Sequence, residues 1–372
     1  MPKTAKNSLI IEEIPVEGYQ KVIEAKDPTC NLHCFIAVHN TKLGPALGGA
    51  RIKRYVGRDA ALKDALMLAK AMTSKSAIAE NGLGGGKSVI IADPKEKTPE
   101  LLHAFGKVLN YLKGIYIVAE DVGSTTEDME IIREATPYVA ALSNDQSSGD
   151  PSRFTAWGVY KGIQAVAKML WGSRSLKKRT IAIQGLGQVG SKLADILFWE
   201  GAELVLTDIN TDKLHPLAVL YGAKVITPAD FCSTECDILS PCALGSIIDE
   251  KSIRKMRCQA VAGSANNQLA TPLMGKMLMD RGILYAPDFI INAGGIINAA
   301  NEFEPGGYNP KTARNKVNHI YDVLIKVFEK SIRQNLPPSQ IADELAKYNL
   351  DHDVAKRLEP IDWSFRKTTR GQ

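Results

Sequence analysis

Residues 180–208, TIAIQGLGQVGSKLADILFWEGAELVLTD, restrict the possible fold more than any other stretch of the chain. A strand-length apolar run leads into Gly185-Leu-Gly187-Gln188-Val189-Gly190, then a helical pattern, a second apolar run and Asp208. The three glycines are not interchangeable. Gly185 allows a tight turn, Gly187 lets the backbone approach a pyrophosphate, and Gly190 lets helix pack on strand. The helix that begins near Gln188 and Val189 points its N-terminus at the phosphates. A carboxylate at Asp208 accepts hydrogen bonds from the adenosine ribose and repels a 2′-phosphate, which favours NAD over NADP. A bare GxGxxG is a common glycine-rich turn. With two strands, a helix and the acid around it, the segment predicts a dinucleotide-binding unit.

At 372 residues the chain has room for a second domain, and 45% apolar residues supply full cores. The 46 basic residues are interspersed with 41 acidic ones for a net charge of +5, which does not indicate nucleic-acid binding. The one local cluster, Arg366, Lys367 and Arg370, reads as a solvated tail. The six cysteines lack zinc-site spacing, and a chain of this size needs no disulfide staples, so free buried thiols and no metal are expected. The first residues contain no apolar signal segment, and no run approaches the ~18 apolar residues of a membrane span, so a cytoplasmic protein is expected.

The N-terminal half alternates strand and helix patterns, which argues for α/β layers. CFIAVH reads as strand, and LGPALGGARI (43–52) as a turn or a close backbone approach. Asp59 is a candidate N-cap, and Leu62, Leu66, Ala69 and Met72 recur at helical spacing, delivering Lys75 just beyond the last turn. The glycines at 82, 84, 85 and 86 then allow a sharp turn that places Lys87 at the entry to the strand SVIIA. Burial and a nearby second ammonium would both lower the pKa of Lys87 toward a range useful for acid–base work; the alternative is a surface lysine after a flexible turn. GIYIVAEDVGST ends a strand in Glu120 and Asp121, residues that equally suit a cap or a surface. SSGDPSRFTAWG (147–158) looks like a domain boundary, with Thr155 as a possible helix cap. Downstream, short apolar strands lead to small-residue loops that carry Asn266, Asn267 and Asn292, whose amides suit a nicotinamide carboxamide or ribose and equally suit turns. Residues 316–332 read as a long amphipathic helix, broken by Pro337-Pro338-Ser339.

LGPALGGAR, MTSKSAIAENGLGGGKSVIIADP, YIVAEDVGST, SSGDPS, QGLGQVG, SPCALG, GSANNQL and APDFIINAGGIIN together resemble the amino-acid dehydrogenases for glutamate, leucine, phenylalanine and valine, most closely the leucine branch. The resemblance spans about residues 30–325. It implies an N-terminal α/β substrate domain (1–147, completed by helices in 338–372), a Rossmann-type NAD-binding domain (148–337) and a cleft between them. By the same resemblance Lys87 is the general acid–base residue, Asp121 moves protons at the α-amino group, and Lys75 binds the α-carboxylate. Thr155, Gly185, Gly187, Gln188, Val189, Gly190, Asp208, Ala243, Asn266 and Asn292 fall on cofactor positions. Leu47, Gly48, Gly49, Ala119, Ile296 and Ala299 fall on substrate-pocket positions.

Glutamate-specific members carry a lysine where Leu47 stands, and a buried carboxylate without a cation costs several kcal/mol, so glutamate is disfavoured. Ile296 adds bulk and Ala299 removes it relative to the leucine pattern, which leaves leucine, valine, isoleucine and a larger side chain open. The implied activity is reversible NAD-dependent oxidative deamination of an apolar L-amino acid to its 2-oxo acid and ammonia. The implied assembly is a homo-oligomer, a hexamer or octamer, with no nucleic-acid or membrane partner. A phenylalanine-type enzyme and a nucleotide-sensing regulator without catalysis are the alternatives.

Overall fold

The computed structural model describes residues 8–143, 147–243 and 245–363; the basic cluster Arg366, Lys367 and Arg370 lies outside them. The chain forms two compact units. One comprises residues 1–150, 299–309 and 346–372, and the other 151–298 and 310–345.

The first unit is built on six strands: β1 (Ile10–Glu13), β2 (Lys21–Asp27), β3 (Leu32–Asn40), β4 (Ala46–Lys53), β5 (Gly84–Ile91) and β6 (Tyr116–Glu120). Their order is β1-β2-β3-β5-β4-β6; the first four are joined antiparallel, and β5, β4 and β6 run parallel. Helix α1 (Arg58–Ile78) covers one face against Phe35, Ala37 and Val89. Helices α2 (Pro99–Tyr111) and α3 (Thr126–Ala135) cover the other, where Phe105, Leu109, Met129 and Ile132 meet Ile36, Ile90 and Val118. The side-chain period of two explains this division, since alternate residues of every strand face opposite helices.

Several local expectations change. LGPALGGARI is largely strand β4 rather than turn, and Gly84, Gly85 and Gly86 begin β5 rather than forming a bend. These glycines serve close approach: a Cβ on Gly85 would stand 2.1 Å from the Thr73 nitrogen of α1, and one on Gly48 1.9 Å from the Gly86 carbonyl oxygen. Of Gly82, Gly84, Gly85 and Gly86, only Gly82, with φ +69°, turns the chain. The N-cap of α1 is Gly57, not Asp59, which lies in the first turn, and Lys75 lies inside the last turn rather than beyond it.

The second unit opens with α4 (Ser152–Trp171), followed by β7 (Thr180–Gln184), α5 (Gln188–Trp199), β8 (Glu203–Thr207), α6 (Thr211–Tyr221) and β9 (Lys224–Val225). It continues through β10 (Ile238–Pro241), α7 (Glu250–Lys255), β11 (Ala260–Val261), α8 (Leu273–Asp280), β12 (Leu284–Tyr285), α9 (Asp288–Ile291) and α10 (Gly294–Ala300). The order β12-β11-β10-β7-β8-β9 is parallel throughout and reverses between β7 and β10, the doubly wound dinucleotide topology.

Helix α11 (Pro310–Gln334) packs along α4 and is followed by α12 (Pro338–Asp351). The division expected at 147/148 and 337/338 falls instead at 150/151 and 345/346, and 299–309 returns to the first unit. Within the second unit Lys330 of α11 pairs with Glu344 of α12 at 3.3 Å. Thr155 does not cap α4; it sits in the first turn, and its hydroxyl donates to the Pro151 carbonyl at 3.0 Å.

All six cysteines are free; Cys34 and Cys236 are buried and the other four only half-buried. Among the described residues no helix is long and apolar enough to cross a membrane.

Candidate active site

In the first unit the parallel strands bring together one face of β4, β5 and β6. Register pairs Leu47 with Gly85 and Ile117, and Gly49 with Ala119. Alternation then puts Leu47, Gly49 and Arg51, Gly85 and Lys87, and Ala119 and Asp121 on the side covered by α1. Lys87 is 4% exposed, and its Nζ lies 2.6 Å from Oδ2 of Asp121. Burial pushes the ammonium below the ordinary lysine range, against the opposing pull of Asp121. Burial also works to raise the Asp121 carboxyl, but Lys87 and Arg51 outweigh it and hold the group below the usual carboxylate range. Gly49 makes this meeting possible, because a Cβ there would stand 2.6 Å from Asp121 Cβ and 3.2 Å from Lys87 Nζ.

Lys75 is half-buried in α1. Helix α1 touches β5 where Thr73 meets Gly85, and the two lysines each stand two residues beyond that contact. Leu47 is 2% exposed, so the position holds an apolar group and no cation. Gly48 belongs to the opposite face, where its carbonyl accepts from the Tyr116 hydroxyl at 3.0 Å. Ile296 and Ala299 lie one turn apart on α10, both buried.

The fold also brings Arg51, Asp64 and Tyr55 to this site. Arg51 Nε reaches the same Oδ2 of Asp121 at 3.0 Å, and its Nη1 reaches Asp64 Oδ2 at 3.2 Å. The Tyr55 hydroxyl donates to that Asp64 oxygen at 2.6 Å. Strand alternation from Gly49 to Arg51 was the available signal. The partner Asp64 on α1 could not be read without the helix's placement.

In the second unit Gly185 (φ +92°) turns the chain where strand order reverses, and a Cβ there would lie 2.6 Å from the Cβ of Ala243. Leu244 of the same SPCALG motif lies outside the described residues. A Cβ on Gly190 would meet the Gly185 carbonyl oxygen at 1.9 Å, whereas Gly187 has nothing within 4 Å. Its openness, together with an α5 N-terminus that no side chain caps, fits a pyrophosphate on the N–H groups near Gln188 and Val189. Asp208 anchors the glycine loop, its Oδ2 accepting from Leu186 N at 2.5 Å and its Oδ1 from Asn210 N at 2.7 Å. Both oxygens keep lone pairs for ribose hydroxyls.

Asn292 donates to Asn266 Oδ1 at 2.7 Å and to the Ser264 carbonyl at 3.0 Å, so these two amides are joined. Asn267 is a turn residue, with φ +50°. Thr155 packs beneath α10, 2.8 Å from where a Cβ on Gly295 would be.

A parallel sheet whose glycine loop leaves helix amides open at the strand-order reversal accommodates a nicotinamide dinucleotide, and the class of protein is an oxidoreductase. Residues 16–138 match the Glu/Leu/Phe/Val dehydrogenase dimerisation domain, and residues 202–334 match the Glutamate/Leucine/Phenylalanine/Valine dehydrogenase model. The chain belongs to this Glu/Leu/Phe/Val dehydrogenase family and is an amino-acid dehydrogenase. It is 46% identical to leucine dehydrogenases of Thermoactinomyces intermedius and Geobacillus stearothermophilus, over 90% of this chain and 91% of each relative. The solved L-tryptophan dehydrogenase of Nostoc punctiforme is 38% identical with a TM-score of 0.79, covering 90% of this chain and 96% of that one. The hetero-hexameric glutamate dehydrogenase of Thermus thermophilus shares the fold at 22% identity, with a TM-score of 0.73 over 95% of this chain and 91% of that one.

Proposed function

We propose that the chain catalyses reversible NAD-dependent oxidative deamination of a branched-chain, leucine-type L-amino acid to its 2-oxo acid and ammonia. The observation that carries this reading is the buried Lys87 ammonium on the Asp121 carboxylate at 2.6 Å. A nicotinamide ring, when bound, supplies the hydride acceptor for the substrate Cα. Lys75 holds the α-carboxylate as a point charge. Lys87, eased toward its neutral form by burial, takes a proton from the water that attacks the iminium carbon. Asp121 passes protons to and from the amino nitrogen as ammonia leaves. Asp208 would favour NAD by accepting from ribose hydroxyls and repelling a 2′-phosphate, and Gly185, Gly187, Gly190 and Ala243 would line the pyrophosphate. Thr155, Asn266 and Asn292 support the nicotinamide side.

The apolar Leu47 supports an apolar side chain over glutamate, and Ala119, Ile296 and Ala299 are the further substrate positions that the family resemblance implies. The leucine dehydrogenase relatives support the branched-chain choice. A larger aromatic substrate is the second reading, favoured by the small Ala299 and by a phenylalanine dehydrogenase relative from Caldalkalibacillus thermarum at 39% identity over 90% of this chain and 92% of that relative. We also propose a homo-oligomer, a hexamer or octamer, working in the cytoplasm.

Initial rates followed at the nicotinamide absorbance band, with L-leucine, L-valine, L-isoleucine, L-phenylalanine and L-glutamate and with NAD or NADP, test the assignment. Branched-chain substrates with NAD are expected to exceed glutamate by at least ~10-fold, one buried polar mismatch being enough for that. Faster turnover of phenylalanine would replace leucine with the aromatic reading. Lys87→Ala should lose about 10²–10⁴-fold in kcat, and unchanged turnover would remove the mechanism.

A further inference from the structure

We propose that Arg51 and Asp64 form a positioning pair for the amino-acid dehydrogenase reaction, keeping Asp121 charged and aimed while Lys87 gains and loses its proton. The proposal rests on the roles given above to Lys87 and Asp121.

One oxygen of Asp121 receives both cations, Lys87 Nζ at 2.6 Å and Arg51 Nε at 3.0 Å. Lys87 must pass through a neutral state to act as a base, and at that moment a carboxylate paired only with lysine would be left buried and uncompensated. In a low-dielectric site such a pair can instead collapse to amine and carboxylic acid, which would spend the proton that the reaction needs. A guanidinium does not deprotonate in this pH range, so Arg51 supplies a constant positive charge through the whole cycle.

What fixes Arg51 is Asp64, 3.2 Å from its Nη1, and Asp64 is itself held by the Tyr55 hydroxyl at 2.6 Å. The guanidinium is thereby bridged between two carboxylates from different elements and is committed to them rather than to the substrate carboxylate. These four groups alternate in sign, Lys87 on β5, Asp121 after β6, Arg51 on β4 and Asp64 on α1, while α1 also carries Lys75 and β3 carries His39, whose Nδ1 bonds the Thr73 hydroxyl at 2.8 Å. The neutral Tyr55 ring closes the row, with Lys53 Nζ 4.7 Å from its centroid. Glu120, next to Asp121, turns away onto the Thr126 hydroxyl at 2.9 Å. The side chains of Arg51 and Asp64 are 20% and 15% exposed, so solvent screening between them and Asp121 is limited.

The arrangement makes the two residues act on Lys87 with opposite signs. Arg51 favours loss of its proton and Asp64 disfavours it. Removing the positive charge should therefore move the acid limb of the pH profile up, and removing the negative charge should move it down. A residue that only stabilised the fold would not produce a signed pair of shifts.

The test measures kcat/KM against pH for oxidative deamination of the best substrate from the panel, with wild type, Arg51→Met, Arg51→Lys, Asp64→Asn and Lys87→Ala. Thermal melts establish that each variant is folded. Arg51→Met should raise the acid limb by about one unit and Asp64→Asn should lower it, the scale expected for a unit charge several ångströms away. Arg51→Lys should keep the limb near the wild-type position yet lose kcat, because one ammonium cannot bridge both carboxylates. If Lys87→Ala is inactive while the limb does not move in Arg51→Met and Asp64→Asn, the positioning pair is overturned and the base assignment stands. If Lys87→Ala turns over normally, the underlying reading itself fails. Asp64→Asn is nearly isosteric, so it decides the matter even where Arg51→Met does not fold.

Discussion

A Cβ added at position 49 would stand 2.6 Å from Asp121 Cβ, 2.8 Å from the Glu120 carbonyl oxygen and 3.2 Å from Lys87 Nζ. Neither partner has room to retreat. Asp121 is held by Arg51 and by its backbone N–H on the Ser124 hydroxyl at 2.9 Å, and Lys87 is fixed in β5. Gly49→Ala should therefore cost about 1–3 kcal/mol of stability while lowering kcat by about 100-fold, since small misplacements of reacting groups cost that much. Steady-state kinetics beside a thermal melt check this; wild-type turnover in a folded variant would mean the spacing of Lys87 and Asp121 does not matter. A lysine after a glycine run and an acid at a strand's exit are local signals that left a surface lysine and a cap open, and the family resemblance supplied the roles proposed for Lys87 and Asp121. Arg51 was not legible in that way, because its importance comes from a carboxylate just past β6 and another on α1.

At the scale of elements, α1 shows that helical spacing identifies a helix without fixing which of its residues lie deepest. Of Leu62, Leu66, Ala69 and Met72, only Ala69 is fully buried; it is joined by Ala61, Ala65, Thr73, Ser76, Ala77 and Ile78, while Leu62 and Leu66 pack partly buried against the same cluster. A helix pressed onto a strand of glycines leaves room mostly for small side chains, and Leu62 and Leu66 settle at the edges of the contact.

The same helix is tied to β2 by Glu24, which is 4% exposed and lies 2.7 Å from Arg58, 2.8 Å from Lys26 and 2.8 Å from His33. Burial works to raise this carboxyl, but the three partners bring it down to about 2. Its folded pKa is depressed, so its contribution is complete above about pH 4.5 and fades as pH falls toward 2. Glu24→Gln should lose about 2–3 kcal/mol at neutral pH and should flatten the acid end of the stability curve. Denaturant melts at pH 7 and pH 3 check the sign, and an equal loss at both would refute it.

Across the whole molecule, the chain passes between its two compact units at residues 150/151, 298/299, 309/310 and 345/346. Glu302, only 4% exposed, lies just past one of these passages. Its Oε1 accepts from Ala141 N, the Ser147 hydroxyl and Ser148 N, each at 2.8 Å, and from the Ser148 hydroxyl at 2.5 Å, just before another. Deleting the carboxylate strands several donors at once, so Glu302→Ala should cost about 3 kcal/mol and lower the melting temperature, with Glu302→Gln milder. An unchanged melt by scanning fluorimetry would show that the grip contributes nothing. No local pattern marks Glu302, since its four donors come from residues more than 150 positions away.

The amino-acid sequence by itself determined the dinucleotide fingerprint and the layered α/β class. Those follow from spacing within one or two elements, where backbone geometry and hydrophobic period act locally. Tertiary structure alone decided that the glycine run is a strand, that Lys75 lies within its helix, and that Arg51 shares the carboxylate oxygen that Lys87 touches. Strand register and helix placement set those contacts, and both are settled by packing over the whole sheet rather than by neighbours in the chain.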